Sequence, residues 1–325
     1  MDEFDEIARL YRPLTRGAPE ALDLLDDAAV IPSRPGYDLV VTKDAIVAGV
    51  HFLLDDPLDL VARKLLRVNL SDLAAKAAEP YAYFLAVAWP TACGFAERER
   101  FAKGLAQDQQ AFGLRLFGGD TVSTPGPLTA SLTVMGWAPS GGAVRRGGAK
   151  VGDVVLVSGT IGDGGLGLKA AQGALEGVTH DEAAWLADRY RLPQPRLQLR
   201  QTLRDHASAA ADVSDGLLAD AGHVGTASGA GITLDLDSLP LSAAARTWVG
   251  AQPDPCAALL VLASLGDDYE IVCTACPSAV DALTTSAATA GVRLAAIGRV
   301  TAAHGLAARY AGAPVAIQRT GWSHV

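Results

Sequence analysis

The chain has 325 residues, half of them hydrophobic and 19% charged, with a formal net charge of -9. That length and apolar content predict two cores rather than one. The acidic balance, with no basic patch, excludes a nucleic-acid partner of the usual electrostatic kind, and no apolar run approaches the roughly 20 residues of a membrane span.

In chain order, Phe4 to Tyr11 reads as a short amphipathic helix and Asp38 to Thr42 as a strand, with Asp44 just beyond its end. Leu58, Val61, Leu65, Val68 and Leu73 carry helical periodicity over 57–77. Tyr81 to Trp89 reads as a buried strand, Ala96 to Phe112 as a helix and Leu114 to Phe117 as a strand. Gly118-Gly119 is expected to be a turn delivering Asp120, with a further strand over Leu128 to Trp137. The glycine-rich stretch 139–148 is the expected boundary between domains 1–138 and 139–325. Beyond it, Val154 to Val157 is a strand and Gly162 to Gly167 a turn into a helix. Two helices flank the segment from Pro193 to Pro195, and Asp212 begins a strand-to-helix junction. Alternating helices and strands predict an α/β, α+β layered architecture in both halves. The acidic start, Met1 to Glu6, lacks a signal-peptide pattern, so a cytoplasmic location is expected.

The chemistry-bearing feature is a set of aspartates inside apolar or glycine-rich contexts: Asp26-Asp27, Asp44, Asp72, Asp120, Asp212 and Asp215. A carboxylate drawn out of water costs several kcal/mol unless it is protonated, paired or bound to metal. Several converging carboxylates suit magnesium, which prefers oxygen ligands and retains substrate phosphates in its shell. Each aspartate alone also reads as a helix cap or solvated turn; the recurrence in five segments favours the magnesium–phosphate reading.

Other motifs weigh less. Gly159 to Gly167 lacks the spacing and acidic partner of a dinucleotide fingerprint and reads as strand–turn–helix. Cys273-Thr-Ala-Cys276 has no second pair or nearby His and reads as the end of a strand. His51 is a candidate for hydrogen bonding to substrate, while His180, His206, His223, His304 and His324 carry no pattern.

Taken in order, Asp26-Asp27-Ala-Ala, Thr42-Lys-Asp44 through His51-Phe52, Val68-Asn-Leu-Ser-Asp72, Gly118-Gly-Asp120-Thr, Arg146-Gly-Gly through Asp153, Asp212-Val-Ser-Asp215-Gly, Gly266-Asp-Asp-Tyr269-Glu270 and Gly321-Trp322-Ser-His324 resemble the thiamine-monophosphate kinases of the aminoimidazole ribonucleotide synthetase superfamily, nearly end to end. The resemblance implies the two-domain fold of that superfamily, with an N-terminal metal- and nucleotide-binding domain that forms a barrel across a homodimer. The C-terminal α/β domain completes the active site. It implies ATP as co-substrate, thiamine monophosphate as acceptor, and direct in-line transfer giving thiamine diphosphate, the last step of that biosynthesis.

The resemblance also implies several magnesium ions at Asp27, Thr42, Lys43, Asp44, Asp72, Asp120, Asp212 and Asp215. Of these, Asp27, Asp44, Asp72, Asp120 and Asp212 are the catalytic set. ATP contacts are implied at Gly119, Asp120, Arg146 and Ser214, and substrate contacts at His51, Asp267 and Trp322. Three positions depart from the family pattern: Leu25 for a usual glycine, Lys43 for a usual serine or threonine, and Asp267 for a usual glutamate. Lys43 is expected to contact phosphate, unless strand alternation through residue 44 turns it away from Thr42 and Asp44. Alternatives are another ATP-using enzyme of the superfamily, or an impaired metal- or nucleotide-binding homologue.

Overall fold

The computed structural model describes residues 3–322, which fall into two compact units. The first runs to Leu73 and includes Ala78–Gly141; the second takes Ala74–Ala77 and the chain from Gly142 on.

In the first unit, α1 (Glu3–Glu6) passes into a wider turn at Ile7–Tyr11. There follow β1 (Tyr37–Val47), α2 (Leu58–Ala75), β2 (Glu79–Pro90), α3 (Phe95–Phe112), β3 (Leu116–Thr124) and β4 (Thr129–Pro139). The strands form an open four-stranded sheet in the order β1-β4-β2-β3. β1 and β2 run antiparallel to β4, and β3 lies parallel to β2 at one edge. Helices cover one face of this sheet. Val61, Leu65, Val68 and Leu73 of α2 are buried, and Phe101 of α3 meets Trp89 of β2 edge-to-face at 5.3 Å. On the other face, Ala18 and Ala21, with Ala29 and Ile31, pack over Ala82, Phe117 and Met135. The rest of that face is open: Leu39, Val41 and Val122 are 41%, 54% and 51% exposed.

Two expectations of the sequence are corrected here. β1 does not stop at Thr42; it pairs with β4 without a register break from Tyr37 to Val47, so Asp44 lies inside the strand. Gly118-Gly119 is not a turn but part of β3. Gly119 is required because a Cβ there would stand 2.0 Å from the Leu85 carbonyl oxygen of the neighbouring strand.

In the second unit, β5 (Val154–Ser158) is followed by α4 (Asp163–Ala171), α5 (His180–Arg191), α6 (Arg200–His206), β6 (Ala209–Val213), α7 (Leu217–Ala227) and β7 (Gly231–Asp235). Then come α8 (Ala243–Gly250), α9 (Pro255–Ser264), β8 (Glu270–Ala275), α10 (Val280–Thr289), β9 (Leu294–Thr301), β10 (Gly305–Tyr310) and β11 (Ala313–Val315). The seven strands order as β11-β10-β7-β9-β5-β8-β6. β5, β6 and β8 are buried along their whole length, Asp212 of β6 and Glu270 of β8 included. Among the described residues, no helix is long and apolar enough to cross a membrane.

Candidate active-site residues

In the first unit, β1 and α2 build one carboxylate group. Strand alternation puts Thr42, Asp44 and the buried Ile46 on the face that α2 covers. The Thr42 hydroxyl donates to the Asp72 carboxylate of α2. One helical turn earlier, the fully buried Asn69 accepts the Asp44 amide at 3.0 Å and donates to the Leu65 carbonyl at 2.9 Å. Asn69 and Asp72 share a helix face at i,i+3, so α2 grips β1 at Thr42 and at Asp44. Sequence reasoning passed over Asn69, although a buried amide beside Ser71-Asp72 in an apolar helix carries the same signal as the aspartates.

Lys43 faces the other way, and the expectation that it joins the metal and phosphate ligands is corrected. Its exposed ammonium donates to Thr133 of β4, its cross-strand partner, at 3.4 Å. The reason is the unbroken β1 register, which alternates Lys43 away from Thr42 and Asp44.

Asp120 is not brought to this group within one chain. It is exposed on edge strand β3, and the register Ala45–Ser131–Ala86–Asp120 sets it on the open face, three strands from β1. Asp27 is exposed in the loop after Leu24, with its amide on the Asp26 carboxylate at 2.8 Å. His51 serves the structure of the loop, since its Nδ1 accepts the Val47 amide at 3.1 Å and closes the turn after β1.

In the second unit, the candidates gather where β6 ends. Asp212 is buried in the strand, and Ser214 and Asp215 follow in the turn into α7. The Ser214 and Asp215 amides donate to the Asp220 carboxylate at 3.0 and 3.1 Å. Burial pushes the Asp220 carboxyl up to about 7, with the nearby Asp215 charge adding to the rise and Arg146 opposing it. Asp215, Asp220 and His223 each offer a ligand atom, all within 4.8 Å of one another. Asp220 and His223 were missed in the sequence, although Leu217-Leu218-Ala219-Asp220-Ala221 is one more aspartate in an apolar run.

The segment 266–270 straps across the same strand end. Asp267 donates its amide to the Ser214 carbonyl at 2.9 Å, and Tyr269 to that of Val213 at 2.8 Å. Both have left-handed backbones, φ 69° and 51°, a conformation costing roughly 1–2 kcal/mol for a residue with a Cβ. Trp322 is half exposed and donates its amide to the Asp215 carbonyl. The other terminal motif residue, His324, lies outside the described residues.

The glycine-rich turn at 159–167 does not present a free helix N-terminus to a pyrophosphate. The buried Asp268 carboxylate accepts the Gly162 and Gly164 amides there, and Asp163 accepts the hydroxyls of Thr160 and Ser242. Cys273 is buried in β8, its thiol pushed up to about 12 by burial, while Cys276 is exposed; both are free.

These donor sets fit hard divalent cations. Thr42, Asp44 and Asp72 offer oxygen only, as magnesium prefers. Asp215 and Asp220 offer oxygens, with the His223 nitrogen as the softer donor. With Arg146 near Asp220, the arrangement suits charge neutralisation around polyphosphate rather than nucleophilic attack by a side chain.

Comparison with known proteins agrees with that chemistry. Residues 25–138 match the family model "AIR synthase related protein, N-terminal domain", and 150–311 match "AIR synthase related protein, C-terminal domain". A thiamine-monophosphate kinase of Caulobacter vibrioides is 58% identical over 322 residues, 99% of this chain and 90% of that protein. The crystal structure of thiamine-monophosphate kinase from Stenotrophomonas maltophilia K279a superposes with a TM-score of 0.84 at 37% identity, covering 97% of this chain and 98% of that one. A solved structure described as AaThiL complexed with AMPPCP and TMP superposes with a TM-score of 0.78 at 27% identity, over 92% and 91% of the two chains.

Proposed function

We propose that this chain, which belongs to the AIR synthase related family and within it to the thiamine-monophosphate kinases, transfers the γ-phosphoryl group of ATP to thiamine monophosphate. A phosphate oxygen of the acceptor attacks the γ-phosphorus, the bond to the β-phosphate oxygen breaks, and thiamine diphosphate and ADP leave. The observation that carries the reading is the end-to-end similarity to thiamine-monophosphate kinases, which spans every aspartate segment described above.

The acceptor is already an anion at neutral pH, so no strong general base is needed. The obstacle is bringing two polyanions together. Asp44, Asp72 and Thr42 in the first unit, and Asp212 and Asp215 in the second, would each hold magnesium, which when bound would supply the neutralising charge. Asp27 and Asp120 are assigned to the same role. Arg146 adds a fixed cation for phosphate, and the Gly119 and Ser214 segments approach the nucleotide. Trp322 offers an aromatic face to the cationic thiazolium, with Asp267 and His51 as further acceptor contacts. Lys43, the departure nearest the carboxylates, faces away from Asp44 and leaves that group intact.

A homodimer goes with this reading. The open face carries exposed Leu39, Val41 and Val122, and among the described residues both edges of that sheet, β1 and β3, are without a further strand partner. Exposed apolar faces and unpaired edges are what a self-complementary interface covers. A second copy whose β3 pairs with β1 closes the barrel and brings its Asp120 to the strand that carries Asp44. The co-substrate, ATP, belongs to the cytoplasm, and the enzyme is assigned there.

The deciding assay combines purified protein, magnesium-ATP and thiamine monophosphate, with products separated by charge. Thiamine diphosphate is the expected product, and unphosphorylated thiamine should be a poor acceptor because the acceptor phosphate is what the metals grip. Intact ATP binding without thiamine diphosphate would overturn the reading in favour of a binding protein.

A further inference from the structure

The strap 266–270 contains two adjacent aspartates, and only Asp267 has a role in the reading above. Asp268 is 1% exposed. Its Oδ2 accepts the Gly162 amide at 2.7 Å and its Oδ1 the Gly164 amide at 2.9 Å, both at the start of α4. A carboxylate satisfied at both oxygens by backbone donors in a dry site has one orientation open to it. The contact is matched from the other side, because a Cβ on Gly164 would stand 2.2 Å from the Asp267 carbonyl oxygen. Two residues further, the buried Glu270 is clamped by Ser158 at 2.6 Å, by Arg196 Nε at 2.6 Å and by Arg189 at 3.3 Å.

The two left-handed residues, Asp267 and Tyr269, flank Asp268 on either side. Such conformations persist where the surroundings over-determine them. Here the determinants are the Ser214 and Val213 carbonyls on one side and the start of α4 on the other. The glycine-rich turn of 159–167 is thus the receptor for an internal carboxylate.

We propose that Asp268 is a positioning residue: by docking on the Gly162 and Gly164 amides it fixes the left-handed turn that presents Asp267 to thiamine monophosphate. This inference rests on the assignment of Asp267 to the acceptor, and its test separates the two. Asp268→Asn replaces one accepting oxygen with an NH2 that confronts an N–H donor, while leaving Asp267 in place.

In the full chain, Asp268→Asn should raise the Michaelis constant for thiamine monophosphate about tenfold, equivalent to about 1.4 kcal/mol, with that for ATP within twofold of wild type. Asp267→Ala should do the same, and the double variant should be no worse than Asp267→Ala alone, since residues acting through one contact are non-additive. Gly164→Ala, which crowds the Asp267 carbonyl and the Asp268 amide while leaving the Asp268 carboxylate unchanged, serves as the second variant where Asp268→Asn does not fold, and should give the same selective loss. Additive single effects, an unchanged constant for the acceptor, or equal losses for both substrates would overturn the proposal.

Amide exchange reads the positioning without catalysis. Gly162, Gly164, Asp267 and Tyr269 should exchange faster in Asp268→Asn while amides of β5 and β6 keep their protection. Unchanged exchange at those four overturns the proposal even in an active enzyme. Should wild type fail to phosphorylate thiamine monophosphate, the functional reading falls and the exchange result alone decides whether Asp268 positions the turn.

Discussion

The amide of Trp322 donates to the carbonyl of Asp215 at 2.9 Å, so the aromatic assigned to the acceptor is tied to the backbone of a residue assigned to metal. Gly321 makes the approach possible: a Cβ there would lie 2.3 Å from the same carbonyl oxygen and 2.8 Å from the Ala219 Cβ. The backbone of Trp322 is thereby held at the turn that begins α7, where Ser214 and Asp215 stand.

Gly321→Ala should therefore displace Trp322 without disturbing the buried sheet. Loss of one cation–π contact is worth roughly 0.5–2 kcal/mol, which is about a twofold to thirtyfold rise in the Michaelis constant for thiamine monophosphate. Steady-state kinetics with each substrate varied in turn would show it, with the ATP constant nearly unchanged. Equal acceptor constants in variant and wild type would remove Trp322 from the substrate site.

Much of this arrangement was legible in the sequence, for a local reason. The apolar spacing of α2 and the apolar run of β5 are short-range signals, and these two elements fall within a few residues of the expected ones. What the sequence concealed is non-local. Gly118-Gly119 has turn composition, yet serves as strand because Leu85 lies against it. Lys43 sits between two candidate ligands in sequence, but the pairing of β1 with β4 turns it to the opposite face. Asp268 carries no distinguishing signal in the sequence, yet it anchors the start of α4, a link of more than 100 residues. Asp120 has the right company in sequence and lies three strands from β1 in one chain.

Asp72 separates metal binding from packing. Its carboxylate accepts the Thr42 hydroxyl, and an asparagine in its place still offers a carbonyl oxygen to that donor. Asp72→Asn should keep the fold, with a melting temperature within a few degrees of wild type, and lose the charge that magnesium needs. Turnover should fall by at least about a hundredfold, the scale of losing a principal electrostatic contact to the transition state. Near-normal turnover at saturating magnesium would refute the metal role.

Val41 tests the second copy. It is 54% exposed on the open face of the sheet, between Leu39 and Lys43 on the same strand. A carboxylate there meets water in a monomer and an apolar interface in a closed barrel. Val41→Asp should shift the sedimentation coefficient from dimer to monomer and reduce activity with it, because Asp120 of one copy is assigned to β1 of the other. A wild-type protein that sediments as a monomer and is fully active would exclude the barrel.

The start of α5 gives a pH-dependent prediction away from the chemistry. Thr179 and Glu182 form a reciprocal cap: the Glu182 amide donates to the Thr179 hydroxyl oxygen at 3.3 Å, and the Glu182 carboxylate accepts the Thr179 amide at 2.9 Å. Thr247 adds its hydroxyl at 2.7 Å. The Thr179 amide first, and then the two hydroxyls, hold the Glu182 carboxyl below its ordinary value of 4.5. A depressed folded-state value means that the unfolded chain binds the proton more readily. The stabilisation is then fully present above about pH 4.5 and is lost as the pH falls through the lower folded-state value. Glu182→Gln keeps the shape and removes the charge. The melting temperature of wild type should exceed that of the variant at pH 7, and the gap should narrow steadily as the pH falls below about 4.5. A gap that stays constant over that range would show that the cap works through the neutral side chain, and that the charge on Glu182 contributes nothing to α5.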